Sequence, residues 1–166
     1  KRGEKKIHVV VEKKLLGTGG GVKNVLNHLL PGPFLVLNSD VIWMDQKDNF
    51  FHLLSNCWDG RKMDALLLLY PVSRKPDENL GDYRKDGNGR IYRRKGLDFS
   101  PYVFTGAQIL HDRLFKKSPR KPFSLVSLYD RAEKSGRLFG LVYNGIWHDV
   151  GTKDKLRRIR KKIRML

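Results

Sequence analysis

Cysteine is nearly absent: Cys57 is the only one in 166 residues, so no internal disulfide can staple the chain. That usage fits a reducing compartment and predicts a cytoplasmic protein. Long apolar runs are missing too, and none reaches the roughly 18 residues that a membrane-spanning helix needs. The opening Lys1-Arg2-Gly3-Glu4-Lys5-Lys6 does not lead into a signal-peptide core. It does not begin with methionine either, which predicts a processed or partial chain. Acidic residues are scarce, 17 against 34 lysines and arginines, giving a formal net charge of +17. This excess points to polyanionic partners: nucleic acid, phosphorylated metabolites or an anionic membrane face. No motif of a nucleic-acid-binding fold accompanies it, so charge alone supports a nucleic-acid role. Neither Gly-Lys-Ser/Thr of Walker A nor Gly-x-Gly-x-x-Gly occurs.

What is present suits one domain over residues 1–166, with 40% hydrophobic residues to build its core. The organising stretch is Pro33-Phe34-Leu35-Val36-Leu37-Asn38-Ser39-Asp40. Four apolar residues bounded by turn formers predict a strand buried on both faces. Ligands of open α/β sheets sit beyond the carboxyl ends of such strands, which places Asp40 where a carboxylate can hold Mg²⁺. A simple turn-forming role suits Asp40 equally well. A second buried strand is expected at 65–70, stopped by Pro71, with a helix over 48–58 between the two and Asp48 as its N-cap. Strand, helix, strand in this order predicts a βαβ unit and a parallel sheet.

Around this centre, residues 7–11 are β-branched and predict a strand. Gly17-Thr18-Gly19-Gly20-Gly21 precedes an amphipathic helix carrying Val22, Val25, Leu26 and Leu29. A glycine loop opening a helix offers backbone N–H groups to an anionic or polar ligand, or is merely a flexible turn. Residues 81–94 predict a β-hairpin turning at Asn88-Gly89, and 102–110 a strand interrupted by Thr105-Gly106. Ser124 should cap a helix closed by Gly136, and 138–143 form the last expected strand. Residues 153–166 carry Leu156, Ile159, Ile163 and Leu166 on one stripe of a basic amphipathic helix.

Four segments in order, Leu16-Gly17-Thr18-Gly19-Gly20-Gly21, residues 34–40, Phe104-Thr105-Gly106 and Trp147-His148-Asp149-Val150-Gly151-Thr152, resemble the sugar-1-phosphate nucleotidyltransferases. The likeness is to the branch of N-acetylmuramate-1-phosphate uridylyltransferase and mannose-1-phosphate guanylyltransferase-like enzymes. It implies an α/β fold with a Rossmann-like, mostly parallel sheet flanked by helices, of the nucleotidyltransferase (glycosyltransferase A-like) type, with a β-hairpin insertion. It also implies transfer of a nucleoside monophosphate from a nucleoside triphosphate to a sugar 1-phosphate, with release of pyrophosphate. Asp40 and Asp149 would hold catalytic Mg²⁺. Gly17, Thr18, Gly19 and Gly20, with Asn38 and Ser39, would contact the nucleotide, and Gly81, Thr105 and Gly106 would line the sugar-phosphate pocket.

The sequence also departs from that family's pattern. Its Gly-x-Gly-Thr-Arg loop and following Pro-Lys are not found, and the likeness starts near the family's third strand, an N-terminally incomplete fold. Arg93-Arg94-Lys95 stands where many members have Glu-Lys-Pro, and Lys153 where a proline usually follows Gly-Thr. Positioning and electrostatics carry most of the rate in phosphoryl-type transfer, so the 166 residues are expected to be catalytically silent alone. A bare sheet edge predicts a homodimer or a partner chain supplying the missing strands. The competing expectations are a non-catalytic sugar-phosphate or nucleotide-binding module and, behind it, a basic nucleic-acid binder.

Overall fold

The computed structural model describes residues 7–44, 49–75 and 80–163. The leucine run builds its centre. Strand β3 (Ala65–Pro71) is buried on both faces, because it lies between β6 (Tyr102–His111) and β7 (Leu138–Val142) in the sheet. Side chains alternate across a strand, so the run serves two cores. Leu67 and Leu69 pack with Leu128, Tyr129 and Ala132 of α3 (Val126–Lys134), joined by Val22 of α1 (Gly17–Val25). Leu66, Leu68 and Tyr70 pack on the other face with Leu54 of α2 (Phe50–Cys57) and with Trp147.

The remaining strands of the main sheet are β1 (Pro33–Leu37), β4 (Tyr83–Lys85) and β5 (Ile91–Arg93). The order runs β5-β4-β6-β3-β7, with β1 also paired to β6. β1, β3 and β7 point the same way, as expected of a Rossmann-like α/β layer. The simple βαβ pairing is not what joins them, however: β6 is inserted antiparallel between β1 and β3, leaving β3–β7 as the parallel ladder. A ten-residue strand long enough to serve β1, β3 and β4 wins that place. A second, two-stranded sheet pairs β2 (Val41–Met44) with β8 (Ile146–Asp149). The sequence pattern had suggested neither of these strands. Helix α4 (Lys153–Ile163) follows directly.

Other elements match or correct expectation for local reasons. The hairpin forms with Gly89 at φ +87° in its turn, and Gly136 closes α3 at φ +66°. Ser124 accepts the Val126 N–H at 3.2 Å, a cap set just ahead of the helix. The cap of α2 is Asn49, whose side chain accepts the Phe51 N–H at 2.8 Å, while Asp48 lies outside the described residues. Residues 7–11 do not form a strand; Ile7, Val9 and Val11 are exposed. β-branching favours extended backbone only where a neighbouring strand or core receives it.

Asp64, just before β3, ties the segment after β6 to the start of β7. Its Oδ1 accepts from Arg113 Nε at 2.6 Å and Arg137 Nε at 2.8 Å. Burial pushes its pKa up, but the two guanidinium hydrogen bonds and charges outweigh it and hold the carboxyl below its ordinary value. A depressed folded-state pKa adds stability above the unfolded value of about 4, lost as pH falls through the folded one. Asp64→Asn should therefore lower stability at pH 7 and flatten its fall below about pH 4, measured by urea unfolding across pH. Leu67→Ala, at a fully buried position, should cost about 2–5 kcal/mol in the same assay at any pH.

Candidate metal and phosphate cleft

The site begins with an irregularity in β6. Opposite β3, Leu67 pairs with Gln108 but Leu69 pairs with Phe104, so Leu68 faces three residues, Thr105, Gly106 and Ala107. Gly106 takes φ +87°, and a Cβ there would lie 2.8 Å from that of Asn38; only glycine satisfies both demands. Thr105, buried, donates its hydroxyl to the Leu68 carbonyl at 2.7 Å. The bulged backbone then accepts from two other segments. Gly106 O receives the Asn38 N–H at 2.9 Å, and Thr105 O receives Trp147 Nε1 at 2.9 Å.

Those two bonds place the acids. Asp40 lies two residues past Asn38, and Asp149 two residues past Trp147. Antiparallel pairing of β2 with β8 brings Val41 opposite Asp149, and Val150 N–H donates to Asp40 O at 2.8 Å. Stacking of Trp43 on Phe50 at 4.6 Å and packing of Tyr70 on Trp147 at 5.6 Å hold this ribbon against the sheet. The two carboxylates converge over Gly151. A Cβ added there would lie 2.7 Å from Asp40 Oδ2 and 3.2 Å from Asp149 Oδ1, so those oxygens are separated by no more than these distances combined.

The cleft encloses about 230 Å³ and is lined by Asn38, Asp40, Thr105, Gly106 and Asp149, all singled out from sequence. Lys75 and Asp82 line it as well, and sequence reasoning missed both. Asp82 Oδ2 accepts the Phe104 N–H at 2.8 Å, and Gly81 beside it is pressed between the Ser100 and Tyr102 carbonyls. The signal for Asp82 was its place directly after Gly81. Lys75 Nζ lies 4.6 Å from the centre of the Trp147 ring. Lys155, also unremarked in the sequence, binds Asp149 Oδ2 at 2.5 Å, while Oδ1 accepts the Gly151 N–H at 2.9 Å. Burial raises the Asp149 pKa, but the hydrogen bonds from Lys155 and Gly151 and the charges of Lys155 and Lys75 prevail, keeping it below its ordinary value.

Other predicted residues lie elsewhere. Ser39 is exposed and does not line the cleft. Gly17, Thr18 and Gly19 are not in it either, and Gly20 lines a separate depression with Lys23 and Phe123. The glycine segment is the first turn of α1, not a free loop. Its N–H groups at Gly19 and Gly20 donate to Phe123 O at 2.9 and 3.2 Å, and Thr18 Oγ1 accepts the Leu125 N–H at 3.0 Å. The glycines allow close approach, here to the protein's own backbone.

Asp40 and Asp149 give a hard-oxygen donor pair, and the Lys155 ammonium already stands as a cation on one of them. The chemistry fits a divalent ion shared with ligand phosphates. Among the described residues no group of three or more acidic, histidine or cysteine side chains forms a closed metal cage. Mg²⁺ typically uses one or two carboxylates and completes its shell with water and phosphate oxygens.

No family model matches the sequence. The chain is 31% identical over 137 residues to N-acetylmuramate alpha-1-phosphate uridylyltransferase of Caulobacter vibrioides, covering 82% of this chain and 57% of that protein. Two solved structures share its fold. HddC from Yersinia pseudotuberculosis, complexed with GMP-PN, has a TM-score of 0.68 at 21% identity, covering 93% of this chain and 65% of that one. UDP-glucose pyrophosphorylase complexed with UDP-glucose has a TM-score of 0.72 at 14% identity, covering 90% and 64%. In sequence and fold the chain is similar to the sugar-1-phosphate nucleotidyltransferases. It spans a little over half the length of the Caulobacter relative.

Gly151→Ala puts a methyl group against the end of the Asp40 side chain. Stability should change by no more than about 0.5 kcal/mol at this exposed position. Mn²⁺ affinity should nevertheless fall about tenfold, the equivalent of about 1.4 kcal/mol, by calorimetric titration.

Proposed function

We propose that this chain carries the cation- and sugar-phosphate-binding side of an enzyme that transfers a nucleoside monophosphate from a nucleoside triphosphate to a sugar 1-phosphate. A phosphate oxygen of the sugar 1-phosphate attacks the α-phosphorus, a new P–O bond forms, and the bond to the leaving pyrophosphate breaks. The observation that carries the reading is the convergence of Asp40 and Asp149 at the carboxyl end of β1. Two anionic reactants must meet there, and a Mg²⁺ held by this pair would offset their repulsion and the charge developing on pyrophosphate.

The chain's own groups supply the rest. Lys75 brings positive charge to the wall facing Asp149. Asp82, fixed by the Phe104 N–H, offers an acceptor to a sugar hydroxyl, and Gly106 lets a ligand approach the backbone. Gly81 matters through its neighbour, since any side chain there would push Asp82 out of line. Gly17, Thr18, Gly19 and Gly20 stand apart from the reacting phosphates in this reading, their role limited to the nucleoside end. The sequence as given contains no Gly-x-Gly-Thr-Arg segment, so the 166 residues bind ligand without turning it over alone. The outer edge of β1, unpaired among the described residues, is where a second copy or partner chain would add a strand.

Calorimetry should detect Mg²⁺-dependent binding of a nucleoside triphosphate, weakened at least about tenfold by Asp40→Asn and by Asp149→Asn. Binding that ignores Mg²⁺, or that survives both substitutions unchanged, would sink the reading.

A further inference from the structure

One short ionic contact at the cleft is made by the protein with itself. Lys155 rises from the first turn of α4, where its own N–H donates to Thr152 Oγ1 at 3.3 Å and the Leu156 N–H donates to Thr152 O at 2.9 Å. Ile159, 8% exposed, seats the same helix on the body of the protein. The backbone therefore fixes where the lysine stem starts. Its ammonium ends 2.5 Å from Asp149 Oδ2, the oxygen left over once Gly151 has taken Oδ1.

A metal ion shared by Asp40 and Asp149 needs an oxygen of each. An ammonium group holds Asp149 Oδ2, so an ion arriving at Oδ1, the oxygen nearer Asp40, puts a second positive charge on the same carboxylate, and the two repel in a part-buried setting. The Lys155 side chain is 40% exposed and that of Asp149 26%. The lysine can thus swing into water by side-chain rotation, with α4 staying in place. Lys75 is different: it is held over the Trp147 ring and acts on Asp149 through space.

Resting on the proposed cation site, we infer that Lys155 is a resident counter-cation that competes with the divalent ion for Asp149. It is a positioning residue. It keeps the Asp149 carboxylate aimed before the ion arrives, and it raises the ion concentration at which the site loads. Once displaced, its ammonium is left at the rim of a cleft entered by a polyphosphate, so ion loading and phosphate capture favour one another. Arg157, further along α4, pairs instead with Asp154 at 3.3 Å.

The test is Mn²⁺ titration of the 166-residue chain without nucleotide, followed by the electron paramagnetic resonance of free Mn²⁺. Lys155→Gln should tighten Mn²⁺ binding about tenfold, and Lys155→Met, which keeps the stem without charge or hydrogen bond, should do the same. Lys155→Arg should stay near the parent. A lysine needed only for packing or helix stability would loosen the site when removed, so the direction of change separates the two roles. Equal or weaker Mn²⁺ binding in the Gln and Met variants, with clear binding by the parent, overturns the inference about Lys155 alone. No Mn²⁺ binding by parent and variants alike overturns the cation site and the inference together.

Discussion

Two carbonyl groups on one bulge of β6 are what the cleft depends on. Backbone carbonyls in a regular central strand are consumed by their neighbours in the ladder. Here the extra residues opposite Leu68 release Thr105 O from the β3 ladder, while Gly106 O carries the β1 pairing one step further, to Asn38. One then holds the exit of β1 through Asn38, and the other holds β8 through the Trp147 indole. Each aspartate follows its anchor by two residues, so a single local distortion sets the spacing of two acids more than a hundred positions apart. Bulges next to functional sites re-aim side chains in many sheets; this one re-aims two chain segments at once.

Charge is distributed in keeping with that geometry. The molecule is strongly cationic as a whole, yet its cleft gathers Asp40, Asp82 and Asp149. Like charges brought together need compensation, and Lys75 and Lys155 supply it. An acidic pocket in a basic body suits a ligand that is itself a cation–polyanion pair: the pocket takes the cation while the wider field draws the anion.

Much of this could be read from residues alone, and the exceptions share a cause. The strand at 65–70 was legible because burial on both faces writes an unbroken apolar run; the run at 34–37 also forms a strand, but it is half-buried with Leu37 exposed, not buried on both faces as expected. The hairpin, α3 and the amphipathic α4 were legible from turn chemistry and helical spacing. Asp40 was legible from its place after a buried strand. What was not visible was the β2–β8 ribbon, since Val41-Ile42-Trp43-Met44 and Ile146-Trp147-His148-Asp149 are four residues each and their pairing is non-local. Lys75 and Lys155 escaped for a related reason: nothing in their neighbours marks them, and only the folded chain brings them to the cleft; Asp82 had only its place after Gly81 to mark it. The glycine segment at 17–20 was expected as a loop and is instead the first turn of α1. Its composition suits close approach, but composition cannot say to what, and here the Phe123 carbonyl is the partner.

The bulge has one further property, its parity. Three residues face one, so β6 carries a surplus of two, an even number. Val103, Ala107 and Ile109 therefore stay on one core face, and Phe104 and Leu110 on the other, on both sides of the distortion. A surplus of one would have turned half the strand inside out. The molecule can thus host a distorted cleft-lining strand without scrambling its interior, and the cleft is, in effect, an insertion that the hydrophobic pattern does not notice.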